Sequence, residues 1–191
     1  MRFTVLSGLL VTGCWYTPPE DLLCDPEDTD CPLVDDVPVV PRGACAPDRV
    51  ESVACVIDGD TFDVGACGDN GERIRMLGID APEVAHGEDP AECWGYEAST
   101  ELERLLTGED VLLTFDRECE GLYNRTLAYV WFEDAEGEAL LVNRWMLEQG
   151  HARLFEEDFG EPIRLKEDFR AAQDAAHARG LGLWGACPIE E

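Results

Sequence analysis

The chain has 191 residues, the size of one compact domain with tails, and its hydrophobic share of 45% excludes a wholly disordered polymer. Against 42 Asp and Glu stand only 14 Lys and Arg, a formal net charge of -28; taken alone this opposes a nucleic-acid partner gripped by a broad basic face and reads as a solvated acidic surface. Nine cysteines oppose a reducing compartment, where disulfides are rare.

In chain order, Met1-Arg2 precedes an apolar run, Phe3 to Val11, of signal-peptide length and too short to span a bilayer. The run ends in Val11-Thr12-Gly13-Cys14, which resembles the lipobox of bacterial lipoproteins. That resemblance implies a signal peptide over residues 1–13, lipidation of Cys14, and an exported, membrane-anchored protein facing the periplasm or the cell exterior. With Cys14 set aside, eight cysteines remain and can pair completely, although eight permit about 105 pairings. Cys24 with Cys31 and Cys93 with Cys119 are the pairs expected. Residues 14–49 read as a tether: from Tyr16 to Asp48 the chain is rich in Pro and Asp, shows no sustained period, and cannot bury enough apolar surface to offset its ordering entropy. A calcium loop there would need a glycine and a ligand spacing that Cys24 to Cys31 lacks.

Beyond Arg49 the pattern turns to short β-like runs at Val50–Ile57, Thr61–Val64, Arg73–Ile79, Val111–Phe115 and Leu127–Phe132. Asp58-Gly59-Asp60 joins the first two as a hairpin turn. Trp94, Ala98, Leu102 and Leu106 lie on one helical face between the third and fourth runs. A second helix spans Val142–Gln149 and stops at Gly150; a third carries Leu165, Phe169, Ala172 and Ala176 on one stripe and stops at Gly180. The expected fold is α+β: a five-stranded OB-type β-barrel with three helices over residues 50–187, followed by a tail at 188–191.

Three segments carry polar residues that a barrel does not require. They are Ile57-Asp58-Gly59-Asp60-Thr61-Phe62, Arg75-Met76-Leu77-Gly78-Ile79-Asp80-Ala81-Pro82-Glu83, and Tyr123-Asn124-Arg125-Thr126-Leu127-Ala128-Tyr129. Each alone is compatible with turn or surface chemistry. Together they meet the needs of phosphodiester hydrolysis. A hard dication polarises the phosphate, and Asp60 and Asp80 offer it oxygens; a base readies water, and Glu83 lies three residues past Asp80; cations match the charge growing on phosphorus, and a guanidinium does so bidentately at Arg75 and Arg125.

In that order these segments resemble the thermonuclease family typified by staphylococcal nuclease. Gly95-Tyr96-Glu97-Ala98, Val142-Asn143 through Leu147 to Gly150-His151-Ala152, and Gly182-Leu183-Trp184 extend the resemblance over almost all of residues 50–187. It implies a calcium nuclease acting on DNA and RNA that leaves 3′-phosphate ends. Asp60 and Asp80 match the calcium carboxylates, and Ala81 stands where a backbone carbonyl completes the site. Glu83 matches the proposed general base, Arg75 and Arg125 the phosphate-binding arginines, and Tyr123 a tyrosine near the nucleotide. The expected cofactor is Ca2+, and the expected state a monomer with a nucleic-acid substrate.

The sequence also departs from the family. Ala81 replaces a threonine, Asn124 stands where glycine usually precedes the arginine, and Gly121 and Leu122 replace an aspartate and a lysine. Phe155-Glu156-Glu157-Asp158 is acidic where the type protein has aromatics that touch the nucleotide, so stacking there is lost. His86, His151 and His177 share no metal-ligand spacing and read as structural or solvated; the tryptophans read as core and helix anchors. The competing readings are a catalytically inactive barrel kept as a nucleic-acid or protein binding module, and a calcium-binding surface lipoprotein. Neither explains Arg75, Glu83 and Arg125 together.

Overall fold

A computed structural model describes residues 44–87, 89–133, 137–155 and 163–188. The expected signal peptide, Cys14, the tether up to residue 43, the Cys24–Cys31 pair, the acidic residues 156–158 and the tail beyond residue 188 lie outside the described residues.

Strands β1 (Arg49–Val56) and β2 (Thr61–Val64) form the expected antiparallel hairpin, with a bulge in β1 between Val53 and Cys55. The turn holds itself: Asp58 Oδ1 accepts the Asp60 N–H at 3.0 Å, and the Ile57 N–H reaches the Thr61 carbonyl at 2.9 Å. Strand β3 (Glu72–Met76) pairs antiparallel with β2. On the other side of β1 come β5 (Asp110–Thr114) and then β6 (Thr126–Glu133), both antiparallel. Strand β6 closes the circuit by running parallel to β3, with Arg75 facing Leu127. The result is a closed, mixed, five-stranded barrel of OB type, from which β7 (Ala139–Leu141) extends at β6.

The expected third run, Arg73–Ile79, is not one strand. Gly78 turns the chain at φ +80, and a Cβ there would lie 2.3 Å from Ile163 Cδ1, so the segment leaves the barrel. It continues as the short β4 (Ile79–Asp80), paired with β8 (Arg153–Leu154) in a separate ribbon. The site segment therefore begins inside the barrel wall and ends outside it.

Phe62, Ile74, Leu113 and Val130 are fully buried in the core, and Tyr129, next to Val130 and so on the opposite face of β6, is buried with its ring edge-on to Phe169 at 6.0 Å between centres. Helix α1 (Gly95–Leu106) covers it with Ala98, Leu102 and Leu106, the stripe read from the sequence. Helices α2 (Val142–Glu148) and α3 (Lys166–Arg179) pack on each other, and Gly180 caps α3 at φ +62. A short α4 (Leu183–Ala186) follows. The fully buried Asn143 explains one shared motif structurally: its amide donates to the Leu77 carbonyl at 2.9 Å and the Ala128 carbonyl at 3.3 Å, and its Oδ1 accepts the Val130 N–H at 2.8 Å. Among the described residues, no helix is long and apolar enough to cross a membrane.

The disulfides differ from expectation. Cys119 bonds Cys45, Cys93 bonds Cys187, and Cys55 bonds Cys67. The reason lies in strand register. Antiparallel pairing sets Arg49 opposite Leu113, so the arm before β1 runs alongside the chain leaving β5 and brings Cys45 to Cys119 with 5.6 Å between Cα atoms. Cys93, just before α1, instead meets the end of α4.

Candidate active site

Two glycines let three segments meet. A Cβ on Gly59 would lie 2.6 Å from Ala81 Cβ and 2.9 Å from Ala98 Cβ, so the β1–β2 turn can touch both the end of β4 and α1 only without one. A Cβ on Gly95 would lie 2.2 Å from the Glu83 carbonyl oxygen, so the start of α1 packs directly on the Glu83 peptide. That peptide is also fixed across the loop: its carbonyl accepts the Glu92 N–H at 2.9 Å, and its N–H donates to Glu92 Oε2 at 3.2 Å.

Arg75 is the hub. It projects from β3 with 13% of its side chain exposed, donating from Nη1 to Asp60 Oδ2 at 2.5 Å and from Nη2 to Asp80 Oδ1 at 2.8 Å. Nη1 also reaches the Ile79 carbonyl at 2.8 Å. Asp60 is almost fully buried; its Oδ2 accepts the Ala81 N–H at 2.7 Å as well, and its Oδ1 the Thr61 hydroxyl at 2.9 Å. Burial pushes the Asp60 carboxyl well above the usual carboxylate range, against the pull of Arg75, and the neighbouring Asp58 adds to the rise. The Glu83 carboxyl is raised too, first by partial desolvation and then by Asp58, with His86 and Arg75 opposing. The expected pair Asp60 and Asp80 is thus brought to one guanidinium, with Ala81 hydrogen-bonded to one of them.

Sequence reasoning passed over two contributors. Asp58, read as a turn residue, is 9% exposed and lies with Glu83 and His86 so that one donor atom from each falls within 4.8 Å of the others. His86, read as structural or solvated, is exposed, with Nε2 3.8 Å from Glu83 Oε2. Its position three residues after Glu83 was the available signal. His151 fits the structural reading: it is half-buried, burial lowers its pKa, and its Nδ1 accepts the Trp94 Nε1–H at 3.1 Å.

Asp60 and Asp80 flank Arg75, and Asp58 and Glu83 lie nearby with His86; when ionised these four carboxylates outnumber the one guanidinium, a balance that suits a divalent cation. All but His86 offer hard oxygen, the donor type of calcium and magnesium rather than of softer metals.

Arg125 stands immediately before β6. Ile74 pairs with Thr126, so Arg125 lies just ahead of the strand that runs beside that of Arg75. Its contacts stay within its own loop: Nε donates to the Leu122 carbonyl at 3.1 Å, and the guanidinium lies 5.6 Å from the Tyr123 ring centre. Tyr123, expected near a nucleotide, is 88% exposed. Tyr123 and Asn124 both have positive φ, 63 and 56, so a two-residue left-handed turn precedes Arg125, at the position where the family usually has glycine. Tyr129, which ends the same motif, is a core residue whose hydroxyl donates to Asp116 Oδ2 at 2.6 Å.

Sequence comparison fits this geometry. The profile described as "Staphylococcal nuclease homologue" matches residues 73–186, a stretch holding Arg75, Asp80, Glu83 and Arg125. A protein named "Thermonuclease" from Staphylococcus intermedius is 34% identical over 129 residues, 68% of this chain and 72% of that one. A second "Thermonuclease", from Staphylococcus hyicus, is 34% identical over 140 residues, 73% and 78% of the two chains. An "Uncharacterized endonuclease" from Haemophilus influenzae is 30% identical over 132 residues, 69% of this chain and 64% of that protein. With an OB-type barrel that brings Asp60 and Asp80 to the guanidinium of Arg75, the chain belongs to the staphylococcal nuclease homologue family.

Proposed function

We propose that this chain is a calcium-dependent nuclease that hydrolyses phosphodiester bonds of DNA and RNA and leaves 3′-phosphate ends. The observation that carries the reading is the Arg75 hub, which fixes Asp60 and Asp80 side by side within reach of the Glu83 loop. Thermonuclease relatives at 34% identity support it.

Asp60, Asp80 and the Ala81 carbonyl are the residues that would hold calcium, with Asp58 and Glu83 adding negative charge nearby. Calcium supplies Lewis-acid polarisation of the phosphate. Glu83 takes the proton of the attacking water as its oxygen bonds phosphorus; the bond from phosphorus to the 5′ oxygen on the opposite side breaks, and that oxygen leaves with a proton from solvent. Arg75 and Arg125 bind the non-bridging oxygens, whose charge rises towards the transition state. Tyr123 lines the approach of the nucleotide, and its exposed ring suits stacking on a base. We also propose that the protein acts outside the cytoplasm as a monomer tethered through lipid on Cys14, where its cysteines can stay oxidised.

The test is release of acid-soluble nucleotides from single-stranded DNA by the parent chain, beside Glu83→Gln and with a calcium chelator. Activity that needs calcium and falls about a hundredfold or more in the variant is the expected result. Calcium binding without hydrolysis at any salt concentration would leave the barrel as a binding module.

A further inference from the structure

The segment 115–125 between β5 and β6 carries Tyr123 and Arg125, and little of its tip is buried. Leu122 is 71% exposed and Tyr123 88%. Two consecutive side-chain-bearing residues, Tyr123 and Asn124, hold the left-handed conformation that L-residues disfavour. Such a tip is not maintained by apolar packing, so its position depends on its base.

The base has two parts. Hydrogen bonds couple Cys119 to Arg125: the Leu127 N–H donates to the Cys119 carbonyl at 2.8 Å, and the Gly121 N–H to the Arg125 carbonyl at 2.8 Å, with Glu120 bridged to Thr126. Whatever displaces Cys119 therefore displaces Arg125. Cys119 is in turn joined to the arm before β1 by its disulfide to Cys45, 74 residues away, and the Cys45 N–H donates to the Asp116 carbonyl at 2.7 Å. Asp116 itself is buried and receives the Tyr129 hydroxyl at 2.6 Å and the Arg164 N–H at 2.9 Å. The disulfide thus ties the Cys119 side of the loop, through the arm before β1, to the buried Asp116.

We propose that the Cys45–Cys119 disulfide is a positioning cross-link for Arg125, so that opening it reduces turnover by letting the 119–125 loop pivot against β6 while the barrel stays folded. The inference rests on the nuclease reading above and adds to it a pair of residues that touch neither substrate nor cation. Cys45 and Cys119 are positioning residues; the guanidinium of Arg125 does the chemistry.

The test is a double-mutant cycle on the full chain between Cys45→Ala/Cys119→Ala and Arg125→Ala, read by calcium-dependent hydrolysis of single-stranded DNA. In the variant that lacks this one disulfide kcat is expected to fall roughly ten- to hundredfold, the cost of a misplaced group, with a smaller change in KM. Adding Arg125→Ala to it should then remove much less activity than in the parent. Amide exchange at Gly121 and Leu127 should quicken while that at Leu113 in the barrel stays slow, a readout that general destabilisation does not give. Turnover within about twofold of the parent, or losses that multiply independently, overturns the proposal. If the alanine pair does not melt cooperatively, Cys45→Val/Cys119→Val restores the lost volume and the same comparison decides. A parent chain without hydrolysis overturns the nuclease reading itself, whereas an active parent with an equally active disulfide variant overturns only this inference.

Discussion

At the scale of single residues, the site depends on one planar cation with two ends. Arg75 reaches Asp60 and Asp80 from separate nitrogens, 2.5 and 2.8 Å away, and a lysine ammonium cannot match that fork. Arg75→Lys is therefore expected to lower kcat by about 10²-fold or more with calcium still bound, measured by steady-state hydrolysis and calcium titration. Glu83 gives a pH signature. Its pKa lies above the ordinary glutamate value, and in its proposed role as base it must be deprotonated, so activity should fall with decreasing pH earlier than an ordinary glutamate would allow. Because the Asp58 carboxylate contributes to that rise, Asp58→Asn should move the acid limb of kcat/KM to lower pH at saturating calcium. A limb that stays in place would detach Glu83 from the rate-limiting proton transfer.

Among the elements, the strands and helices are held in relation by a few buried polar groups. Asn143 starts no chemistry, yet its side chain joins α2 to the peptide at Leu77 and to two peptides of β6. Asn143→Leu would leave the Val130 N–H and the Leu77 carbonyl buried without it, and should destabilise the fold by about 2–4 kcal/mol in a denaturant titration. Leu77 lies between β3 and β4, so residual activity should fall further than the folded fraction explains. The helices were legible because apolar residues at helical spacing face one core: Ala98, Leu102 and Leu106 are all fully buried. The split of the third run was not legible, because Ile79 looks like strand sequence in either sheet; only the fit of Gly78 against Ile163 sends it to a new partner.

For the whole molecule, the net charge of -28 opposes the approach of a polyanion. Repulsion between remote charges is screened over roughly 8 Å at physiological ionic strength, whereas the proposed calcium and the arginines would act at contact. Hydrolysis at fixed calcium should therefore rise from low to moderate salt, the reverse of a binder that works through counterion release; a steady decline over that range in initial-rate measurements would count against this balance. By itself the sequence determined the barrel class, the three main helices and the site motifs, since local turn chemistry, hydrophobic period and ordered motif residues are all written along the chain. Only the tertiary structure decided which cysteines pair, because Cys45 and Cys119 are neighbours through the register of β1 on β5 and not through sequence distance. It likewise brought His86 and Asp58 to Glu83, and placed Asp60 and Asp80 on the two ends of Arg75. Contacts between strands far apart in sequence follow from barrel closure, and no local pattern encodes them.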